Sequence, residues 1–328
     1  MRGFRYVLAA CVAFATSAVM DTASAQDYPR RPVNIIVPFA PGGGTDVVAR
    51  AMAPAFSAKL GQPVVIENIS GAAGSIATNK VARANPDGYT LIMQNLALAL
   101  NPALYKKLSY DAEKDLVPIT MINHTANVFV ARKDLPPKTV PELVSWMKSN
   151  RIRLAHPGVG STGHIQVALL AAAVGGQADF IPYRGGGPML VDIIGGHVDI
   201  GTVTVGNAVE PVRSGQVRGI GITAREPAKL LPQVPSMVQA LGPSLEVVFW
   251  NMLLAPAGTP KAIIDKIHAA FEETIKDQEL VDRWAKMGID LYPPAERTPE
   301  ATQKLLSEEI ASWKKRIRDS GIEAKDSL

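Results

Sequence analysis

Short apolar runs alternate with amphipathic stretches along most of the chain, and the two periods can be told apart. Near-continuous apolar runs predict buried strands over 33–39, 63–69 and 89–94, with helices over 46–60 and 73–84 between them. The order then restarts. Strands over 128–132, 153–156, 179–182, 199–203 and 218–223 enclose predicted helices over 141–149, 163–173 and 188–194. Beyond Trp250 the pattern predicts a strand over 252–255, helices over 262–275, 277–287 and 299–318, and a short strand near Leu291. The last helix repeats Leu305, Leu306, Ile310, Trp313 and Ile317 near helical spacing, as a helix covering a core does. Strands such as Asn34-Ile35-Ile36-Val37 suit a parallel sheet between helix layers. Two starts of the same order predict an α/β fold of two lobes, each a mainly parallel sheet flanked by helices. Lobe 1 is drawn from 26–127 plus 250–328 and lobe 2 from 128–249.

Composition adds the compartment and removes some partners. Arg2 and Arg5 precede an apolar stretch over 6–19, and Ala23-Ser24-Ala25 ends it with small residues, which reads as a cleavable signal peptide over 1–25 and a periplasmic product. Thr16, Ser17 and Asp21 leave that stretch too short and too polar for a bilayer span of roughly 20 residues, so stable membrane insertion is not expected. The one cysteine, Cys11, lies in the leader, which excludes disulfide and thiol chemistry from the mature chain. A net charge of +4, with basic residues scattered among acids, gives no support to nucleic-acid binding.

Two glycine-rich turns carry the candidate chemistry. In Val37-Pro38-Phe39-Ala40-Pro41-Gly42-Gly43-Gly44-Thr45-Asp46 a strand runs through three glycines into a helix. Glycines allow close backbone approach, and the first-turn N–H groups with the helix dipole favour an anion such as a carboxylate or phosphate. No lysine completes a Walker loop, and Val47 stands where a dinucleotide fingerprint needs its third glycine. A tight turn without ligand remains the alternative. His156-Pro157-Gly158-Val159-Gly160-Ser161-Thr162-Gly163-His164 repeats the design, with Ser161 and Thr162 able to cap the helix or donate to an anion. In open α/β sheets such turns lie at the ligand-binding edge.

Val159 occupies the first glycine place of a nucleophile elbow around Ser161, which counts against a hydrolase. His156 and His164 lack a partner at metal-ligand spacing, so no metal is expected, and His164 reads as a structural or ligand hydrogen bonder. No cofactor is called for.

At these residues the chain resembles the substrate-binding proteins of the tripartite tricarboxylate transporter family, the Bug family. The resemblance spans nearly the whole mature chain. Its matches include both glycine turns, Asn85-Pro86-Asp87-Gly88-Tyr89-Thr90-Leu91, Asn101-Pro102-Ala103-Leu104-Tyr105, Pro182-Tyr183-Arg184-Gly185, Gly195-Gly196-His197-Val198-Asp199 and Ala255-Pro256-Ala257-Gly258-Thr259-Pro260. It implies a Venus-flytrap (type II) periplasmic binding protein, not an enzyme, that captures a small organic carboxylate and delivers it to membrane permease subunits. It also implies that Ala40, Pro41, Gly42, Gly43 and Gly44 hold a ligand carboxylate while Gly160, Ser161 and Thr162 close from the other lobe; Phe39, Asp46 and His164 are expected at the same site. Relatives often carry a polar stretch with a histidine before Asn101, where this chain has Leu96-Ala97-Leu98-Ala99-Leu100, so Leu98 is expected on a more apolar pocket wall. An acidic residue common after Val198-Asp199 is replaced by Gly201-Thr202-Val203-Thr204-Val205, which disfavours amino-acid ligands and leaves Thr204 at the site. A di- or aromatic carboxylate is the expected ligand, with Phe249 and Trp250 either packing on it or serving the core. The rival readings are an exported α/β hydrolase-like enzyme and a sensor subunit that presents its ligand to a receptor.

Overall fold

A computed structural model describes residues 28–319. The proposed leader over 1–25, with Cys11, lies outside the described residues. The first lobe opens with β1 (Val33–Val37), α1 (Gly44–Leu60), β2 (Val64–Asn68), α2 (Ser75–Ala82), β3 (Thr90–Asn95), α3 (Ala97–Leu104) and β4 (Leu116–Thr125). After Ala126 the chain enters the second sheet through β5 (Asn127–Arg132), α4 (Val140–Ser149), β6 (Ile152–His156), α5 (Thr162–Val174), β7 (Ala178–Pro182) and α6 (Gly186–Ile194). It continues with β8 (Ile200–Thr204), α7 (Val205–Arg213), β9 (Val217–Ile222) and α8 (Met237–Leu241). It returns through β10 (Phe249–Pro256), α9 (Lys261–Thr274), α10 (Gln278–Lys286), β11 (Asp290–Leu291) and α11 (Pro299–Asp319).

The six-stranded sheet has the order β11-β4-β10-β3-β1-β2 and the five-stranded sheet β7-β6-β8-β5-β9. In the first, β1, β2, β3 and β4 run one way while β10 and β11 oppose them. In the second, only β5 opposes its companions. The antiparallel strands β10 and β5 are those that arrive from the other lobe, so each crossing is made by a strand inserted between two others.

Alternation along the strands builds the layers. Val33, Ile35 and Val37 of β1 face α1, α9 and α10, where Met52, Phe56, Ile267, Phe271 and Trp284 close one core. Ile36 and Ile92 face the opposite layer of α2, α3 and α11, with Ala77, Leu100, Leu306 and Ile310. A period of two in each strand sends neighbouring residues to different cores.

Four elements depart from the sequence expectation: β4 and the helices α3, α7 and α8 are not predicted. Pro118 interrupts the β4 pattern, while α3 and α7 contain Pro102 and Pro211, residues that normally argue against an element interior.

Candidate ligand-binding site

The first glycine turn is shaped by a buried carboxylate. Asp46, on the first turn of α1, accepts from the Gly42 N–H at 2.9 Å, from Arg50 Nε at 2.9 Å and from Asn68 Nδ2 at 2.8 Å. Burial opposes its ionisation, yet the Gly42 N–H, the Asn68 amide and the Arg50 guanidinium outweigh burial and hold its pKa below the ordinary carboxylate value. Gly42 takes a left-handed φ of 79°, which lets the chain turn back over Asp46. With Asp46 committed below the turn, Gly43 as N-cap supplies no side chain to the helix opening.

From the second lobe, Ser161 caps α5 by accepting from the His164 N–H at 3.2 Å, and its own hydroxyl donates to the Gly158 carbonyl at 2.6 Å. The His164 ring sits 4.5 Å from that of His156, and its Nδ1 accepts from the Gly160 N–H at 3.3 Å. Two further helices open here without side-chain caps: α6 behind Gly185 and α7 behind Thr204.

These four openings border one cavity between the lobes, with about 580 Å³ of empty space including its mouth. Phe39, Ala40, Gly43, Gly44, Ser161, Thr162 and Thr204 of the expected site line it, together with Asn95, Asn127, Thr202, Gly185 and Phe249. No ionisable side chain is among its described lining residues. Thr162 Oγ1, Thr202 Oγ1 and Asn127 Oδ1 are buried with no hydrogen-bond partner among the described residues. Buried polar atoms are ordinarily satisfied, so a cluster of three at one cavity marks a place for a polar guest. The lobes touch around it: a Cβ on Gly44 would lie 2.9 Å from Thr204 Cγ2, and one on Gly185 3.1 Å from the Ala40 methyl.

The remaining expected residues lie elsewhere. Trp250 is a correction: as the strand neighbour of Phe249 it points to the other side of the sheet, donates its indole N–H to Glu309 of α11 at 3.3 Å, and borders a separate groove with Tyr292 and Trp313. Leu98 is also corrected, being fully buried in the core beneath α3 and absent from the cavity wall. Asp46, His164, Pro41 and Gly42 shape the turns and do not line the cavity. Gly160, at φ 79°, instead meets the first lobe, where a Cβ would sit 2.7 Å from the Tyr105 hydroxyl and 2.8 Å from the Ala73 methyl.

Missed residues had a readable signal. Asn95 ends the apolar strand β3 and Asn127 begins the apolar β5, so each is a polar residue at a buried strand tip. Gly185-Gly186 repeats the strand–glycine–helix order of the two turns already singled out.

Residues 48–322 match the family described as tripartite tricarboxylate transporter family receptor. The periplasmic binding protein BugD has a similar structure, with a TM-score of 0.87 at 34% identity, covering 91% of this chain and 100% of that one. MatC from Rhodopseudomonas palustris, solved with bound malate, has a TM-score of 0.84 at 35% identity, covering 88% and 100%. Another R. palustris protein, solved with adipate, has a TM-score of 0.85 at 29% identity, covering 91% and 100%. The extent of the family match, together with two lobes closing on helix openings, establishes that this chain belongs to the tripartite tricarboxylate transporter receptor family.

Proposed function

We propose that this protein is a periplasmic receptor that captures a small organic carboxylate, with di- and aromatic carboxylates favoured, and passes it to the permease subunits of a tripartite tricarboxylate-type transporter. The observation that carries this reading is the convergence of four helix openings on a cavity whose described lining holds no ionisable side chain, with the Thr162 and Thr202 hydroxyls without a partner among the described residues. Removing a carboxylate from water is costly unless donors replace the lost hydration. Each helix opening contributes about 0.3–2 kcal/mol toward an anion, so four of them with two hydroxyl donors offset a substantial part of that cost. Malate and adipate in two similar receptors support the ligand class.

Capture then needs only closure. Gly44 and Ala40 come from one lobe, Thr204 and Gly185 from the other, so a ligand touching both sides binds the closed arrangement better than the open one. Export through the leader over 1–25 belongs to the same reading, with Gln26 as the mature N-terminus.

Titration calorimetry against mono-, di-, tri- and aromatic carboxylates tests the proposal. Saturable one-to-one binding of at least one class, without turnover of ester or amide substrates, is the expected outcome. Hydrolysis without any carboxylate binding would defeat it.

A further inference from the structure

A second chamber continues from the first, sharing Phe39, Ala40, Pro157 and Ser161 with it and enclosing about 1210 Å³ of empty space including its mouth. Its first-lobe wall is the turn Gly71–Gly74, where four successive residues have positive φ: 138°, 48°, 50° and 85°. Asn101 Nδ2 reaches the Ala73 carbonyl at 3.3 Å, and Ala72 and Ala73 offer only methyl groups as side chains. Tyr105 crosses from the first lobe to donate to the Val159 carbonyl at 3.3 Å. On the second-lobe side Tyr183 is fixed by donating to Asp192 at 2.6 Å.

Beside Tyr183 stands Arg184, the one charged side chain among the described lining residues of either chamber. It is exposed, and it makes no hydrogen bond or ion pair with the described residues. A guanidinium usually engages a carboxylate through paired N–H donors, and here no carboxylate of the chain does so. The other lining residues of the second chamber carry no charge, and Pro38, Phe39, Ala72, Ala73 and Val159 give it apolar surface against which a methylene chain or ring can pack.

We propose that Arg184 makes the second chamber a distal subsite, selecting ligands whose second anionic group is separated from the first by an apolar body. The inference rests on the carboxylate reading of the first cavity and adds to it the residue that tells a diacid from a monoacid. A purely long-range role is physically distinct, because a cation that only steers anions toward the cleft acts on monoacids as well.

The test is calorimetry on the wild-type chain, Arg184→Gln and Arg184→Lys with matched pairs: pentanoate and glutarate, hexanoate and adipate, octanoate and suberate, benzoate and terephthalate. Wild type is expected to bind the better-fitting diacid roughly three- to fivefold tighter than its monoacid partner. R184Q is expected to remove roughly three- to fivefold of the diacid affinity, as loss of one solvent-accessible ion pair allows, and to leave monoacids within about twofold. R184K is expected to keep part of the preference. Because Arg184 is exposed and unpaired, the melting temperature of R184Q should match wild type. A diacid preference that survives R184Q, an equal loss for both partners, or no wild-type preference overturns the distal subsite while the carboxylate reading stands. If wild type binds none of these acids, the distal subsite is overturned, and the carboxylate reading fails as well if the wider mono-, di-, tri- and aromatic panel gives no binding.

Discussion

At the residue scale, Thr162 separates function from stability. Its buried hydroxyl has no partner among the described residues, so it costs the ligand-free protein free energy and is useful only to a guest. Thr162→Val should therefore raise unfolding free energy by about 1 kcal/mol in denaturant titrations while weakening ligand binding roughly tenfold. Gly44 makes the complementary case. A methyl group there meets the Phe249 ring edge of its own lobe at 3.4 Å and, across the cleft, Thr204 Cγ2 at 2.9 Å, a contact that exists only when the lobes are together. Gly44→Ala should cost about 1–2 kcal/mol of binding, read by calorimetry, and Thr204→Ser, which deletes the opposing methyl, should restore most of it in the double variant.

At the element scale, the opening of α1 depends on Asp46 staying ionised beneath its own turn. A carboxylate with a depressed folded pKa contributes stability above its unfolded value of about 3.9 and loses that contribution as pH falls through the folded value. Asp46→Asn should lower stability by about 1–3 kcal/mol at neutral pH, with the difference from wild type shrinking as the solution is acidified below about pH 4. A cap remote from the cleft provides the contrast. Asp277 accepts from the Glu279 and Leu280 N–H groups at the start of α10, so Asp277→Ala should cost about 1 kcal/mol in stability without changing ligand affinity. Elements of this kind were legible in the chain, because the Asp277 start and the apolar runs of β1, β3 and β8 follow local rules. β4 was not, since Pro118 hides a strand whose apolar residues are held by long-range pairing to β10. The site was half legible for the same reason. Glycine turns announce themselves locally, whereas Trp250 and Phe249 lie outside the strand predicted over 252–255 and could be assigned to opposite faces only once β10 was seen to begin at Phe249.

At the scale of the whole molecule, the two sheets are joined at Ala126 and again just before Phe249, close to the cavity that contains Asn127 and Phe249. The far side is braced separately. Trp250 and Trp313 donate to the same oxygen of Glu309, and Arg316 of α11 reaches the Ser244 and Glu246 carbonyls of the other lobe. Arg316 is the part of this set that crosses between the lobes, and it stacks 3.8 Å over the Trp313 ring, so its contacts should loosen on opening and ligand addition should shift tryptophan emission together with a fall in the radius of gyration measured by small-angle scattering. Trp313→Phe should reduce the optical change and leave the scattering change in place.

A grip built from amide N–H groups and hydroxyls has a bearing on the surroundings in which it works. No described residue lining the inner cavity carries a side chain that gains or loses a proton between mild acid and mild alkali. The acidity of the medium then acts on the cargo. On the proposed reading, binding would fade in sour conditions at whatever point the bound acid loses its charge, and that point would differ from one acid to the next.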